Sequence, residues 1–402
     1  MSKGALSLVL PADEARSTRR VFARVLKKFA RDAASLPVEL LGEEAMPAGR
    51  ALARLLREFG ASDPRPLYAV LRRPHLHVLL TCTIGALAEG NRDAAGKRAQ
   101  EFVFRLLAEL AMEGALTEPV RWPGAAPVTH LISAAHRVHQ RLPSCAQGFV
   151  FRSGVCVAEG ADPEEMALPT PPSESFQVID DGMMLALADT NPISDFEAHP
   201  DKDGNQLDLG DAPVTEWVGV LRKSLELIGT YLPGIRAEMG LMLRQVIPVG
   251  TDAHKHLSAS YREAIGTVYM TLHPQPMTMT EALIHEFQHN KLNALFHLDP
   301  VMSNAFWPLY PSPVRPDPRP LHGVLLAAHA FVPVAELYRR MRADDHAFVS
   351  RGSFMKRFAK IIGDNDEALT VLNAHAECSE AGAQVLADLN AWHAQHLALD
   401  IV

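Results

Sequence analysis

Residues 281–292, EALIHEFQHNKL, constrain this chain more than any other stretch, because two histidines stand four apart with a glutamate directly after the first. On a helix, positions four apart share one face, so the imidazoles of His285 and His289 can converge on a single cation. Ala282, Leu283, Ile284 and Phe287 around them are apolar, so the helix must be buried and its polar groups must find partners or a ligand. Glu286 projects roughly 100° from its neighbour along a helix of 3.6 residues per turn. It reads as a catalytic group that orients or deprotonates something bound to the metal, not as a third ligand. The segment GTVYMTLHP at 266–274 is rich in β-branched and aromatic residues between Gly and Pro, which predicts a strand leading into the motif helix. Thr278 or Thr280 is the expected cap of that helix.

A third ligand has to come from elsewhere in the chain. After the proline-rich turn YPSPVRPDPRP, the segment LHGVLLAAHAFVPVAELYRRM carries His322, His329 and Glu336 at intervals of seven, which places them on one helical stripe. With Glu336 the set is two His and one Glu, that of a zinc peptidase with Glu286 as general base. With His329 it is a three-histidine site. His322, nearest the turn, reads as a contact to substrate or to a metal-bound group.

The remaining sequence bounds the class of protein. A chain of 402 residues that is 48% hydrophobic can bury a full core, and its length predicts two domains. The net charge of −8 argues against a general affinity for nucleic acid or an anionic membrane. The N-terminus lacks a secretory apolar region, and the run HLHVLLTCTIGALA at 75–88 is shorter than a membrane span. No transmembrane helix is expected. Cys82, Cys145, Cys156 and Cys378 form no CxxC pair, which suits unpaired thiols in a cytoplasmic protein.

The expected fold is mainly α within an α+β class. Residues 1–160 are expected as a helical domain, with apolar stripes through Val21, Phe22, Val25, Leu26 and Phe29 and through Leu52, Leu55, Leu56 and Phe59. A Pro-, Ser- and Glu-rich segment at 160–176 reads as a linker, and 177–402 as the HExxH domain, metalloprotease-like and helical with a small β-sheet. TEWVGVLRKSLELIGTYL predicts an amphipathic helix capped by Thr215. Asp201, Asp203, Asn205 and Asp208 offer oxygen donors, but the calcium-loop spacing with its closing Glu is absent, so a structured turn is expected there.

Four blocks in order, LALADTNPISDFEAHPDKDGNQLDLGD, HLSASYREAIGTVYMTLHP, LIHEFQHNKLNAL and DPRPLHGVLLAAHAF, resemble the HExxH-type peptide-modification proteins of ribosomal-peptide clusters, described as 2-oxoglutarate-dependent peptide β-hydroxylases. The likeness spans roughly residues 178–340. It implies an iron(II) dioxygenase with His285, His289 and His329 as metal ligands, 2-oxoglutarate as co-substrate, and a ribosomal precursor peptide or a carrier-bound amino acid as substrate. In that setting Glu286 hydrogen-bonds water at the metal or anchors substrate. The distal carboxylate of a keto acid calls for a guanidinium fork: Arg319 is the leading candidate, Arg315 and Arg262 are alternatives, and Lys291 is a purely electrostatic option. Ser258, Ser260 and Tyr261 are expected near the cleft, and the 266–274 strand could lend its edge to an extended peptide. A zinc(II) metallopeptidase and a leader-peptide-binding module are the competing readings.

Overall fold

The apolar stripes become the buried faces of helices. In this computed structural model, which describes residues 7–11, 15–160, 172–196, 204–313 and 315–399, the first stripe is the inner face of α1 (Arg16–Ala34) and the second that of α2 (Gly42–Ala61). Helices α3 (Arg65–Leu71), α4 (Pro74–Ala88) and α5 (Arg92–Met112) complete the N-terminal helices, and the apolar run at 75–88 is the buried α4. The segment at 120–159 is not helical. It folds as an antiparallel sheet of β1 (Val120–Pro123), β4 (Gly148–Arg152) and β5 (Val155–Glu159), with a separate hairpin of β2 (His130–Ser133) and β3 (Val138–Arg141). Phe104 on α5 meets Trp122, Phe149 and Phe151 edge-on, which closes that sheet over the helix.

The next sheet positions the motif. A hairpin of β6 (Phe176–Asp180) and β7 (Met183–Ala186) is followed by α6 (Val214–Tyr231) and α7 (Pro233–Met242). The chain then returns as β8 (Gln245–Thr251), parallel to β7, and as β9 (Ser258–Ala259) and β10 (Thr267–Leu272). The order is β6-β7-β8-β10-β9, so β10 lies between two partners and is buried along its whole length. Of the 266–274 strand, one edge is covered by β8, and the other pairs with the two-residue outer strand β9 at Tyr269 and Met270. In the described part of the polar segment before α6, residues 204–211, the chain is irregular, with a β-bridge from Asp208 to Val249 and a turn at Gly210. Asn205 is buried with its amide on the Tyr261 hydroxyl, and Asp208 accepts from the Gly210 amide, while Asp201 and Asp203 lie outside the described residues.

From β10 the chain enters the motif helix α8 (Pro276–Phe296). Gln275 precedes Pro276 at its start, and Thr280 is buried with its hydroxyl on the Pro276 carbonyl, so neither threonine is the cap. Proline suits the first helical position because its φ is preset and no amide is left over there. Likewise α6 begins after Pro213, and Thr215 makes no cap bond. A hairpin of β11 (Leu309–Ser312) and β12 (Arg315–Pro320) leads to α9 (Leu321–Ala343), followed by α10 (Gly352–His375) and α11 (Glu380–Leu397). Among the described residues α9 is long and apolar enough to cross a membrane, but most of it is buried, as in the core helix of a folded chain.

The N-terminal residues are bolted to this core. The Val9 carbonyl accepts from Gln288 Nε2 and Lys291 Nζ on α8, and the Val9 amide reaches Asp388 on α11. Lys291, the electrostatic option for the keto acid, is buried, and its ammonium pairs with Glu238 of α7 at 2.7 Å. Thr18 of α1 donates to the other oxygen of Glu238, so α1, α7 and α8 share one buried polar knot.

Candidate metal centre

Helix α8 presents His285, Glu286 and His289 together, with one donor atom of each lying within 4.8 Å of the other two. His285 Nε2 is 4.0 Å from Glu286 Oε1, and His289 Nδ1 is 3.6 Å from Glu286 Oε2. Metal–donor bonds of about 2.0–2.2 Å place two donors on one ion at most about 4.4 Å apart. A divalent transition ion therefore needs only a small closure of these side chains. His289 Nε2 and Glu286 Oε2 are buried without a hydrogen-bond partner in the protein. Both imidazoles keep about a fifth of their side chains exposed, 23% and 20%, against 2% for Glu286, so the cluster opens to one side.

Burial pushes the His285 imidazole down to about 3, assisted by His289, so it is a neutral nitrogen donor near neutral pH. Burial works to raise Glu286, but the nearby His289 and His285 and the Ser258 hydroxyl outweigh it and hold the carboxylate at about 2. Ser258 Oγ donates to Glu286 Oε1 at 2.7 Å from β9, which places one of the expected cleft residues at the site. Glu286, expected to act on a metal-bound group and not as a third ligand, lies close enough to both imidazoles to offer a donor atom to the same ion.

The second helix does not deliver its expected donor. His329 is buried with Nε2 at 2.9 Å from the Leu8 carbonyl, and it is not part of the donor group on α8. The N-terminal segment occupies the direction in which that imidazole points. Glu336 is fully buried between Arg339, Arg340 and His396, which hold its carboxylate down to about 2 against the opposing effect of burial. Neither the iron nor the zinc version of a ligand from the middle of α9 is therefore formed in this structure. His322, at the start of α9, is stacked between Phe296 and Phe306, and its Nε2 is buried without a partner. Burial, then the charges of Arg262 and His289, lower it to about 4, so it sits within electrostatic reach of the cluster.

The three expected guanidiniums part ways. Arg319 is engaged by Asp317 at 2.9 Å on the β11–β12 hairpin. The side chain of Arg315 lies outside the described residues. Arg262 donates to the Phe296 carbonyl at the end of α8 and is the one whose charge is felt at His322. Other neighbours went unread in the sequence. The ring of Phe331 meets His285 edge-on at 4.9 Å, and the Arg357 guanidinium of α10 lies over Phe331 while paired to Glu281. His256 and Arg357 both act electrostatically on His285. Only the His254-Lys-His256 spacing beside the SASY segment hinted at any of these. Neither a protein-family model nor a curated protein matches the chain.

Proposed function

We propose that the chain is an iron(II)- and 2-oxoglutarate-dependent oxygenase that hydroxylates a β-carbon of a ribosomal peptide or a carrier-bound amino acid. The observation that carries the metal assignment is the convergence of His285, Glu286 and His289 with a buried, unpartnered His289 Nε2. With Glu286 included, the donors are two imidazoles and one carboxylate, the set that non-haem iron(II) oxygenases use with coordination positions left open. Bound there, iron(II) with 2-oxoglutarate and dioxygen supplies the oxidising power to convert an unactivated C–H into C–OH. Ser258 fixes the Glu286 carboxylate, Phe331 walls one side of His285, and Arg262 is the favoured partner for the distal carboxylate of the keto acid. The resemblance of four sequence blocks to peptide β-hydroxylases supports the choice of reaction and of a peptide substrate. Phe306 and Trp307, exposed beside His322, offer an apolar rim for a substrate side chain.

The zinc peptidase reading depends on Glu336 as a ligand, and its engagement with two arginines and His396 weighs against it. The test is anaerobic addition of iron(II) and 2-oxoglutarate to the purified chain. A visible charge-transfer band, lost in His289→Ala, is expected. Zinc-dependent peptide cleavage that ignores 2-oxoglutarate would establish the peptidase instead, and leader-peptide binding without turnover would establish a binding module.

A further inference from the structure

A second site lies away from the metal centre and is lined by none of its residues. A cavity of about 230 Å³, far above the roughly 30 Å³ of one water, opens where the α3–α4 turn, the end of α5 and the start of β8 meet. Arg72, Arg73 and Arg244 line it, and each has a buried Nε with no hydrogen-bond partner in the protein. Arg73 is neutralised by Glu109 and by Glu113, the latter also on the wall. Arg72 and Arg244 have no carboxylate partner among the described residues. Arg72 donates to the Leu241 carbonyl, and Arg244 to the carbonyls of Gly182, Gly240 and Leu241. Three guanidiniums against two carboxylates leave one positive charge in excess at a half-buried place, which is costly without a counter-ion.

The surrounding backbone is shaped to hold Arg244. Gly182 and Gly266 adopt φ of +72° and +98°, and a Cβ at Gly182 would lie 2.8 Å from an Arg244 nitrogen. At Gly266 a Cβ would approach the Met242 carbonyl to 2.9 Å and Pro74 to 3.2 Å. Glycine is thus required for β8 and α4 to close this corner. Ala69, Pro74, Ala134, Ala135 and Met184 give the wall an apolar part, and His75 and Gln245 complete the lining.

We infer that this cavity binds a small organic anion, a carboxylate or phosphate head on a short apolar body, with the excess positive charge of Arg72 and Arg244 receiving the head. The guanidinium charge offsets that of the anion, and the apolar part of the wall takes the body. The inference stands whether or not the metal reading holds.

Calorimetric titration of the full chain with hexanoate, inorganic phosphate and hexanol at constant ionic strength tests it. Saturable binding of hexanoate or phosphate is expected, and which of the two binds tells a carboxylate head from a phosphate head. Arg244→Gln and Arg72→Gln should each weaken it roughly ten- to a hundredfold, the loss of a charge-assisted hydrogen bond. Ala69→Phe, which fills the apolar wall and leaves the guanidiniums in place, should abolish hexanoate binding with the unliganded melting temperature little changed. Absence of saturable binding by both anions, equal binding of hexanol, or undiminished affinity in Ala69→Phe and Arg244→Gln would overturn the assignment.

Discussion

Helices α8 and α9 are similar in length, similarly apolar and similarly buried, and each carries ionisable side chains at helical spacing. They nevertheless spend those side chains differently. On α8 the histidines and the glutamate face one another across an opening, and two of their buried polar atoms are left unpartnered. On α9 His329 has Nε2 on the Leu8 carbonyl with Nδ1 buried and unpartnered, and Glu336 is bonded to three basic groups, so neither joins the donor group on α8. The lesson is that spacing within one helix makes a donor set, whereas a donor borrowed from a second helix depends on which other segments compete for its face.

The comparison can be broken most directly at the metal. His289→Ala should weaken transition-metal binding by about a hundredfold or more, since even groups that merely support a ligand are worth 10–100-fold. Metal content after dialysis is the readout, and a variant that retains stoichiometric metal removes α8 as the site. Glu336→Ala should leave metal binding intact and destabilise the fold by about 1–3 kcal/mol, because it leaves the buried His396 without its partner while Arg339 and Arg340 keep access to solvent. Urea denaturation measures this, and metal loss at unchanged stability would return Glu336 to the donor set.

The same residue gives the comparison a pH axis. In the folded protein Glu336 titrates at about 2 instead of the ordinary 4.5. Its ionised form therefore stabilises the fold fully above about 4.5, and that contribution is lost as pH falls through that range towards about 2. Glu336→Gln should flatten the acid limb of stability against pH within that window.

His329→Ala sharpens the contrast further. It should cost about 2–3 kcal/mol, from an unpaired Leu8 carbonyl and the hole left by the ring, with metal binding retained. Loss of metal without loss of stability would mean that His329 leaves Leu8 to ligate. Ser258→Ala is the smallest change, about 1 kcal/mol for one hydrogen bond to Glu286, and should lower turnover more than it lowers the melting temperature.

Much of the architecture was legible in the sequence. The stripe through Val21, Phe22, Val25, Leu26 and Phe29 is the buried face of α1, and the mainly helical α+β class with a small sheet is the observed one. The β-structure between 120 and 159 was not legible, because strands of four and five residues carry too little alternation to stand out from loop. Helix starts at Pro276 and after Pro213 were misread in favour of nearby threonines, since a preset proline φ competes with side-chain capping. The burial of Lys291 was not legible because its partners, Glu238 and the Val9 carbonyl, lie 53 and 282 residues away in the chain. The Arg72, Arg73 and Arg244 corner was invisible for the same reason.

The sequence by itself determined that His285, Glu286 and His289 would share one turn of a buried helix, because backbone hydrogen bonding sets their separation locally and apolar neighbours force the burial. Only the tertiary structure decided that Leu8 would claim His329, that Arg339, Arg340 and His396 would claim Glu336, and that Arg319 would pair with Asp317 while Arg262 acts on His322. Those outcomes rest on contacts between segments far apart in the chain. Their energies are set by which buried polar group finds which partner once the core has closed, and no local spacing encodes that competition.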